Sequence, residues 1–97
     1  MKKQEVEVYS DASNFVVLRH PGRNFSGSLI QGDSLYILLQ DIREAKEELD
    51  CGNNQNASEI LDGLIKGISD RLEHYKEVLK AHGHELPFAE WAHNKRL

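Results

Sequence analysis

The chain has 97 residues, of which 39% are hydrophobic and 29% are charged, and its formal net charge is −4. A chain of this length makes one small domain, here residues 1–97, and its thin core excludes large multi-layer enzyme folds. Its apolar runs are too short to cross a bilayer, so we expect no membrane association.

Three short segments near the N-terminus have the patterns of β-strands. Residues 5–8 alternate charged and apolar side chains, and residues 15–18 are β-branched, aromatic or leucine between turn residues, which predicts strands over about 4–9 and 14–19. A third strand is expected over residues 27–31, after the turn signal at Pro21 and Gly22. The sequence therefore predicts a small antiparallel sheet of two or three strands.

Two longer segments have the spacing of apolar residues that is typical of amphipathic helices. The first helix is predicted over residues 33–50 and the second, after a Gly/Asn loop, over residues 57–82. Pro87 bars a direct continuation, so residues 83–97 are expected to form a C-terminal tail. The predicted fold class is therefore α+β, with the sheet followed by an antiparallel two-helix hairpin that packs on one sheet face.

Polar residues and a glycine mark the predicted ends of these helices. Asp33 is expected to accept hydrogen bonds from the free N–H groups of the first helical turn. Asn56 and Glu59 have the spacing of a capping box at the start of the second helix. Gly83 is predicted to lie just past the end of that helix.

Gly63 and Gly67 lie four residues apart inside the second helix, where each costs about 1 kcal/mol relative to alanine. Glycines at this spacing let another backbone approach the helix closely. The pattern favours approach by the protein's own sheet or loop, and approach by a partner is the alternative.

The acidic residues are concentrated in one stretch. Residues 33–62 carry two basic and eight acidic side chains, whereas the segment on either side has a net charge of +1. Such a block repels phosphate groups and suits a basic partner, so we expect no nucleic-acid binding. A solvated helix face that keeps the protein soluble is the alternative interpretation.

The cysteine count and the N-terminal residues indicate a compartment. Cys51 is the only cysteine, which excludes an intrachain disulfide. Charged residues follow Met1 closely, and the apolar segment of a signal peptide is not present. We therefore expect a protein of the reducing cytoplasm.

The run Gly32-Asp33-Ser34-Leu35 spells the signature of the GDSL esterases and lipases, in which the serine is the nucleophile. Those enzymes use a parallel sheet with helices on both faces, and their Asp-x-x-His pair corresponds here only to Glu90 and His93. Because Asp33 and Ser34 also suit a helix start, the sequence favours the structural interpretation. An esterase-like enzyme is the third-ranked function.

A metal site is the other chemical hypothesis. Its candidate ligands are His82, His84, His93, Glu85 and Glu90. They lie on a helix end and a tail, whereas tetrahedral sites usually take ligands from two fixed elements with further hydrogen-bonded support. We expect neither a metal nor another cofactor.

Residues 23–35 read RNFSGSLIQGDSL. This run resembles R-x-F-x-G-x-x-x-Q-G-D-S-L, the core motif of a family of short, functionally uncharacterised bacterial proteins. Residues 84–88, HELPF, resemble a second block of that family, and Ser26 stands where the pattern leads us to expect proline. By size and acidity, such proteins resemble the cytoplasmic immunity proteins encoded beside polymorphic toxins, including those of contact-dependent growth inhibition systems.

Two classes of function fit these features best. The first is an immunity protein that neutralises a cognate bacterial toxin, such as a basic nuclease, by occluding the toxin's active or substrate-binding face. An acidic inhibitor mimics a phosphate backbone and is steered rapidly to a basic toxin. The second is a small regulatory or scaffold subunit, which forms a homodimer through its helices.

The predicted partner-binding surface lies on the first helix. At about 100° per residue, Ile37 shares the side opposite the apolar stripe with several acidic residues, and Tyr36 lies beside it. An isoleucine and a tyrosine among carboxylates have the makeup of an interface. The predicted set is Tyr36, Ile37, Asp41, Glu44, Glu47 and Glu48. The alternative is that the sheet or the tail covers the two apolar residues.

Overall fold

Three strands and two helices follow one another along the chain. The computed structural model describes residues 1–11 and 14–90, and every structural statement below concerns these residues. The elements are β1 (Glu7–Ser10), β2 (Val17–Arg19), β3 (Gly27–Ser28), α1 (Gly32–Asp50) and α2 (Asn54–Ala81). This order confirms the predicted α+β fold, with three antiparallel strands before a helix hairpin.

The sheet is antiparallel, with the strand order β1-β2-β3, and its strands are shorter than predicted. Glu7 pairs with Arg19 at one end of the β1–β2 ladder, where their side chains form an ion pair. β1 begins at Glu7 because β2 ends at Arg19, so residues 4–6 extend past the ladder. β3 has only two residues, and after it the N–H of Leu29 donates to the carbonyl oxygen of Val16 while the carbonyl oxygen of Leu29 accepts from Arg71 of α2.

Phe15 packs against α2 and does not extend β2. Its ring centroid lies 5.7 Å from that of His74 and 4.8 Å from Cζ of Arg71. An arginine over an aromatic ring adds a favourable cation–π interaction to the packing. The strand predicted over residues 14–19 therefore begins only at Val17.

Both helices end in a glycine that adopts a left-handed backbone conformation. Gly52 has φ of +81° and Gly83 has φ of +70°, a region that favours glycine. After α2, the N–H of Gly83 donates to the carbonyl oxygen of Lys80 and the N–H of His84 donates to that of Leu79. These bonds form a Schellman motif, which confirms the predicted end of α2 at Gly83.

The N-terminal ends of the helices differ from the prediction. α1 begins at Gly32 with Gln31 as its N-cap, and the Gln31 side chain makes no capping hydrogen bond. Asp33 lies in the first turn, where its charge favours the positive end of the helix, and its Oδ1 accepts a hydrogen bond from the N–H of Ser34 at 2.8 Å, which confirms the expectation that it accepts from a free first-turn N–H. α2 begins at Asn54, so the predicted capping box of Asn56 and Glu59 is wrong. Both residues lie inside the helix.

The core lies between the sheet and the C-terminal part of α2. It is centred on Val17, Tyr75 and Leu79, all buried. Tyr9, Val78 and Leu86 pack against this cluster. Burial of these side chains supplies the apolar stabilisation that holds the short strands on the helix.

α1 and the sheet occupy different parts of α2. The helices have 19 and 28 residues, which correspond to lengths of about 28 Å and 42 Å. α1 lies against the N-terminal part of α2 and the sheet against its C-terminal part. The radius of gyration is 16.7 Å, whereas a compact chain of this length has about 13 Å. The prediction that both helices pack on one sheet face is therefore wrong, because strands of two to four residues do not cover two helices.

Candidate interaction surfaces on the helix hairpin

α1 and α2 contact each other along a line that includes small side chains. Ala45 of α1 and Ala57 of α2 are both buried, and their size allows the two backbones to approach closely. Nδ2 of Asn56 donates to Oε2 of Glu48 at 3.4 Å, which fixes the level at which the helices pass each other. The two helices run antiparallel. When each helix is viewed from its own N-terminus, residues that lie clockwise of the contact line on α1 therefore share a face of the hairpin with residues that lie clockwise of it on α2.

One face of the hairpin is acidic. We define the acidic face as Ile37, Asp41, Glu44 and Glu48 of α1 with Gly63 and Gly67 of α2. Ile37 leaves 58% of its surface exposed, and Glu44 is also exposed. Asp41 and Glu48 are half-buried, closer to the contact line with α2. The face thus presents one apolar side chain bordered by three carboxylates.

Two residues of the predicted interface lie away from the acidic face. By the rotation of about 100° per residue, Tyr36 and Glu47 project from the outer edge of α1, on the side away from α2. Tyr36 is 64% exposed. Neither the sheet nor tail residues 83–90 cover Tyr36 or Ile37, and the rest of the tail, which the alternative also named, lies outside the described residues. The structure brings four of the six predicted residues together on one face.

Gly63 and Gly67 leave the backbone of α2 open on the acidic face. A Cβ atom built at either position meets none of the described atoms within 4 Å. The interpretation that the protein's own sheet or loop approaches these glycines is therefore wrong for this part of the chain. What remains is a shallow strip of exposed backbone beside Ile37 and Glu44.

The opposite face of the hairpin is apolar. We define the apolar face as Leu35, Leu39, Ile42 and Leu49 of α1 with Leu61, Ile65, Ile68 and Leu72 of α2. The fraction of each residue that is exposed ranges from 41% to 62%. Both helices carry these residues in the same rotational sense from the contact line, so they share one side of the hairpin. Sequence reasoning assigned them to the core because it assumed a sheet large enough to cover them.

The apolar face continues into a groove at the sheet end of α2. The groove has a volume of about 300 Å³. Ile68 and Leu72 line it together with Tyr75, Pro87 and Phe88. Phe88 is itself 40% exposed, so the apolar surface extends beyond α1 to the segment after α2.

The comparisons with known proteins identify a family for the chain. The model of a family of unknown function, DUF6959, matches residues 1–88 and therefore spans all three strands and both helices. The chain belongs to this family. This agrees with the resemblance to short uncharacterised proteins. No curated protein and no solved structure matches the chain.

Ser34 lies in the first turn of α1, on the surface. Its backbone N–H donates to Oδ1 of Asp33 at 2.8 Å. Glu90, which an esterase mechanism would pair with His93, accepts a hydrogen bond from Lys76 at 3.3 Å. His93 lies outside the described residues. The sheet beside these residues is antiparallel, unlike the parallel sheet of the esterases whose signature the sequence spells.

The histidines after α2 pack around Tyr9. The rings of His82 and His84 lie 5.1 Å and 5.2 Å from the Tyr9 ring, between centroids. Nε2 of His82 donates to the carbonyl oxygen of Tyr9 at 3.0 Å. Within residues 1–11 and 14–90, no three His, Cys, Asp or Glu side chains are placed to hold a metal ion. The structure thus gives His82 and His84 a packing role at the end of α2.

A charged cavity of about 650 Å³ lies beside the end of α2. Lys76 lines it and donates to Glu73 at 2.8 Å. This hydrogen bond, with a further one to Glu90, raises the pKa of Lys76 above its usual value, although desolvation acts against it. Lys76 is therefore a paired cation at neutral pH and does not supply a neutral amine.

Neither helix of the described chain combines the length and apolar character that crossing a membrane requires.

Proposed function

We propose that this protein is an immunity protein, a cytoplasmic binding protein that neutralises a cognate basic toxin by occluding its active or substrate-binding face. The observation that carries the proposal is the exposure of Ile37, at 58%, on the acidic face. An apolar side chain that is surrounded by charge is typical of an interface anchor, because its burial contributes binding energy while the surrounding charges orient the partner.

The charge of the acidic face fits a basic partner. The stretch that contains α1 has a net charge of −6 over residues 33–62. A field of this sign accelerates encounter with a basic protein, and the acceleration falls as salt is added. Toxins that act on nucleic acids bind phosphates through basic surfaces, so an acidic protein competes for the same surface.

The open strip at Gly63 and Gly67 also supports the acidic face as the binding surface. Because no described atom occupies the space above the two glycines, a partner side chain can contact the backbone of α2 beside Ile37. The strip and Ile37 lie on the same face, so a single partner surface engages both. This combination supports an interface on the acidic face over the alternative of a solvated helix face.

The proposal requires a toxin gene beside the gene of this protein, and the test is protection of growth against that toxin. We expect the wild type to protect cells, Ile37→Ala to speed dissociation from the toxin, and Glu44→Lys to slow association and weaken its salt dependence. Glu77→Lys is the matched control, since it makes the same charge change at an exposed position of α2 outside the acidic face. Equal effects of Glu44→Lys and Glu77→Lys would contradict the proposed surface.

A regulatory or scaffold subunit is the second candidate function. The apolar face favours it, because a protein that assembles other subunits needs an apolar surface of this kind. The two candidates use opposite faces of the hairpin. Substitutions at Ile37 therefore test the first candidate without disturbing the second.

A further inference from the structure

The apolar face approaches in size the surface that each partner buries in a standard protein interface. Its footprint is about 28 Å long, the length of α1, and about 20 Å wide, two helix diameters. Monomeric proteins seldom expose apolar patches above about 300–600 Å², and a partner in a standard interface buries about 800 Å². The footprint and its continuation past Ile68 and Leu72 to Phe88 together approach that area.

We propose that a second copy of this chain covers the apolar face, so that two hairpins stack into an antiparallel four-helix bundle. The two-fold axis runs parallel to the helices, which places α1 of one copy on α2 of the other. Every pair of neighbouring helices then runs antiparallel. None of the eight residues of the apolar face is charged, and Lys46, which projects on the same side of α1, is already ion-paired with Asp50.

The charges at the two edges of the apolar face are complementary across this two-fold axis. The α1 edge carries Arg43 and Lys46 with Asp50, to which Lys46 is ion-paired, and is basic by one charge, whereas the α2 edge carries Glu59 and Asp62 with Lys66 and is acidic by one charge. The hydrogen bond between Asn56 and Glu48 sets the register of the helices and places these pairs at similar heights. In the dimer, the basic edge of each copy meets the acidic edge of the other. Opposite charges along the edges of the apolar face fix the position of one hairpin along the other. They also disfavour a dimer in which α1 lies on α1 and α2 lies on α2.

This dimer goes beyond the proposed function and is compatible with it. Stacking through the apolar face leaves both acidic faces on the outside, pointing away from each other. One dimer would then present two equivalent acidic surfaces. Failure of the toxin test would leave the dimer intact, and failure of the dimer test would leave the acidic face intact.

The first experiment measures the mass in solution by sedimentation equilibrium. We expect the wild type to have twice the monomer mass. Ile65→Glu on the apolar face should weaken association about 100-fold or more, because two copies of the side chain are lost per dimer. Ile37→Glu on the acidic face is the matched control and should stay dimeric. Both positions are exposed, so circular dichroism should show folded protein in each case.

Several outcomes of this measurement would overturn the proposal. A wild-type chain that stays monomeric over the whole concentration range would do so. A dimer that survives Ile65→Glu, or one that dissociates with Ile37→Glu, would place the interface elsewhere.

The second experiment is a charge swap that only the proposed orientation predicts. The double variant Arg43→Glu/Lys46→Glu makes both edges acidic, and Glu59→Lys/Asp62→Lys makes both edges basic. Each variant alone should dimerise about tenfold or more weakly than the wild type, because like charges meet at both seams. An equimolar mixture should recover the wild-type mass as a heterodimer. A mixture that stays as weakly associated as the separate variants would overturn the proposed two-fold arrangement.

Discussion

The hydroxyl of Tyr75 in α2 donates to the backbone carbonyl oxygen of Ser26, 3.0 Å away and 49 residues earlier in the chain. The hydroxyl of Ser26 lies 3.1 Å from the same phenolic oxygen. One turn before Tyr75, Arg71 donates to the hydroxyl of Ser28 at 2.9 Å. A strand of two residues has few ladder hydrogen bonds of its own, so these contacts hold β3 against α2.

Removing the Tyr75 hydroxyl should therefore destabilise the fold measurably. We expect Tyr75→Phe to lower the free energy of unfolding by about 1 kcal/mol, because the ring stays in the core while the carbonyl oxygen of Ser26 loses its donor. Chemical denaturation measures the change. Tyr36→Phe is the control, since that tyrosine is 64% exposed and should change stability by less than about 0.5 kcal/mol. Equal effects at both positions would show that the Tyr75 bond adds nothing.

Substitution of Ser34 tests whether the serine of the esterase signature has a catalytic role. The bond it makes with Oδ1 of Asp33 uses its backbone N–H, which alanine retains. We therefore expect Ser34→Ala to change the free energy of unfolding by less than about 0.5 kcal/mol and to leave growth protection intact. Asp33→Ala should cost about 0.3–1 kcal/mol, because an acid is lost from the positive end of α1. Ester hydrolysis that disappears in Ser34→Ala would contradict the structural interpretation.

Local patterns predicted the elements because local chemistry decides them. The end of α2 at Gly83 follows from the left-handed conformation that glycine adopts easily. The starts of the helices were less accurate, because the N-cap residues Gln31 and Asn53 make no side-chain capping hydrogen bond that a sequence pattern could indicate. The carbonyl oxygen of Gln31 accepts from the N–H of Leu35 at 2.9 Å, and no side-chain cap is involved.

The packing of the helices could not be predicted from their apolar stripes alone. The stripe of α1 has the same appearance whether it faces a sheet or a second protein chain. Buried Ala45 and Ala57 decide which side of each helix meets the other, and that line is rotated away from the middle of both stripes. The sequence does contain one signal for this packing, because Ala45 and Ala57 lie at the same height in the predicted hairpin. The same rotation puts Ile37 on the acidic face and Tyr36 on the side of α1 that points away from α2.

Gly63 and Gly67 allow stability and binding to be separated on one surface. Alanine has a higher helix propensity than glycine, and its Cβ meets no described atom within 4 Å at either position. We expect Gly63→Ala and Gly67→Ala each to raise the free energy of unfolding by about 0.5–1 kcal/mol. If the partner contacts the backbone of α2 here, the added methyl groups should weaken toxin binding about tenfold through faster dissociation.

The control for these variants is Ser69→Ala, which raises helix propensity at an exposed position of α2 away from the acidic face. It should stabilise the fold without changing the affinity for the toxin. Thermal denaturation gives the first quantity and surface plasmon resonance gives the second. A double variant at Gly63 and Gly67 that is stabilised and binds as tightly as the wild type would remove α2 from the binding surface and leave Ile37 and Glu44 of α1 as its centre.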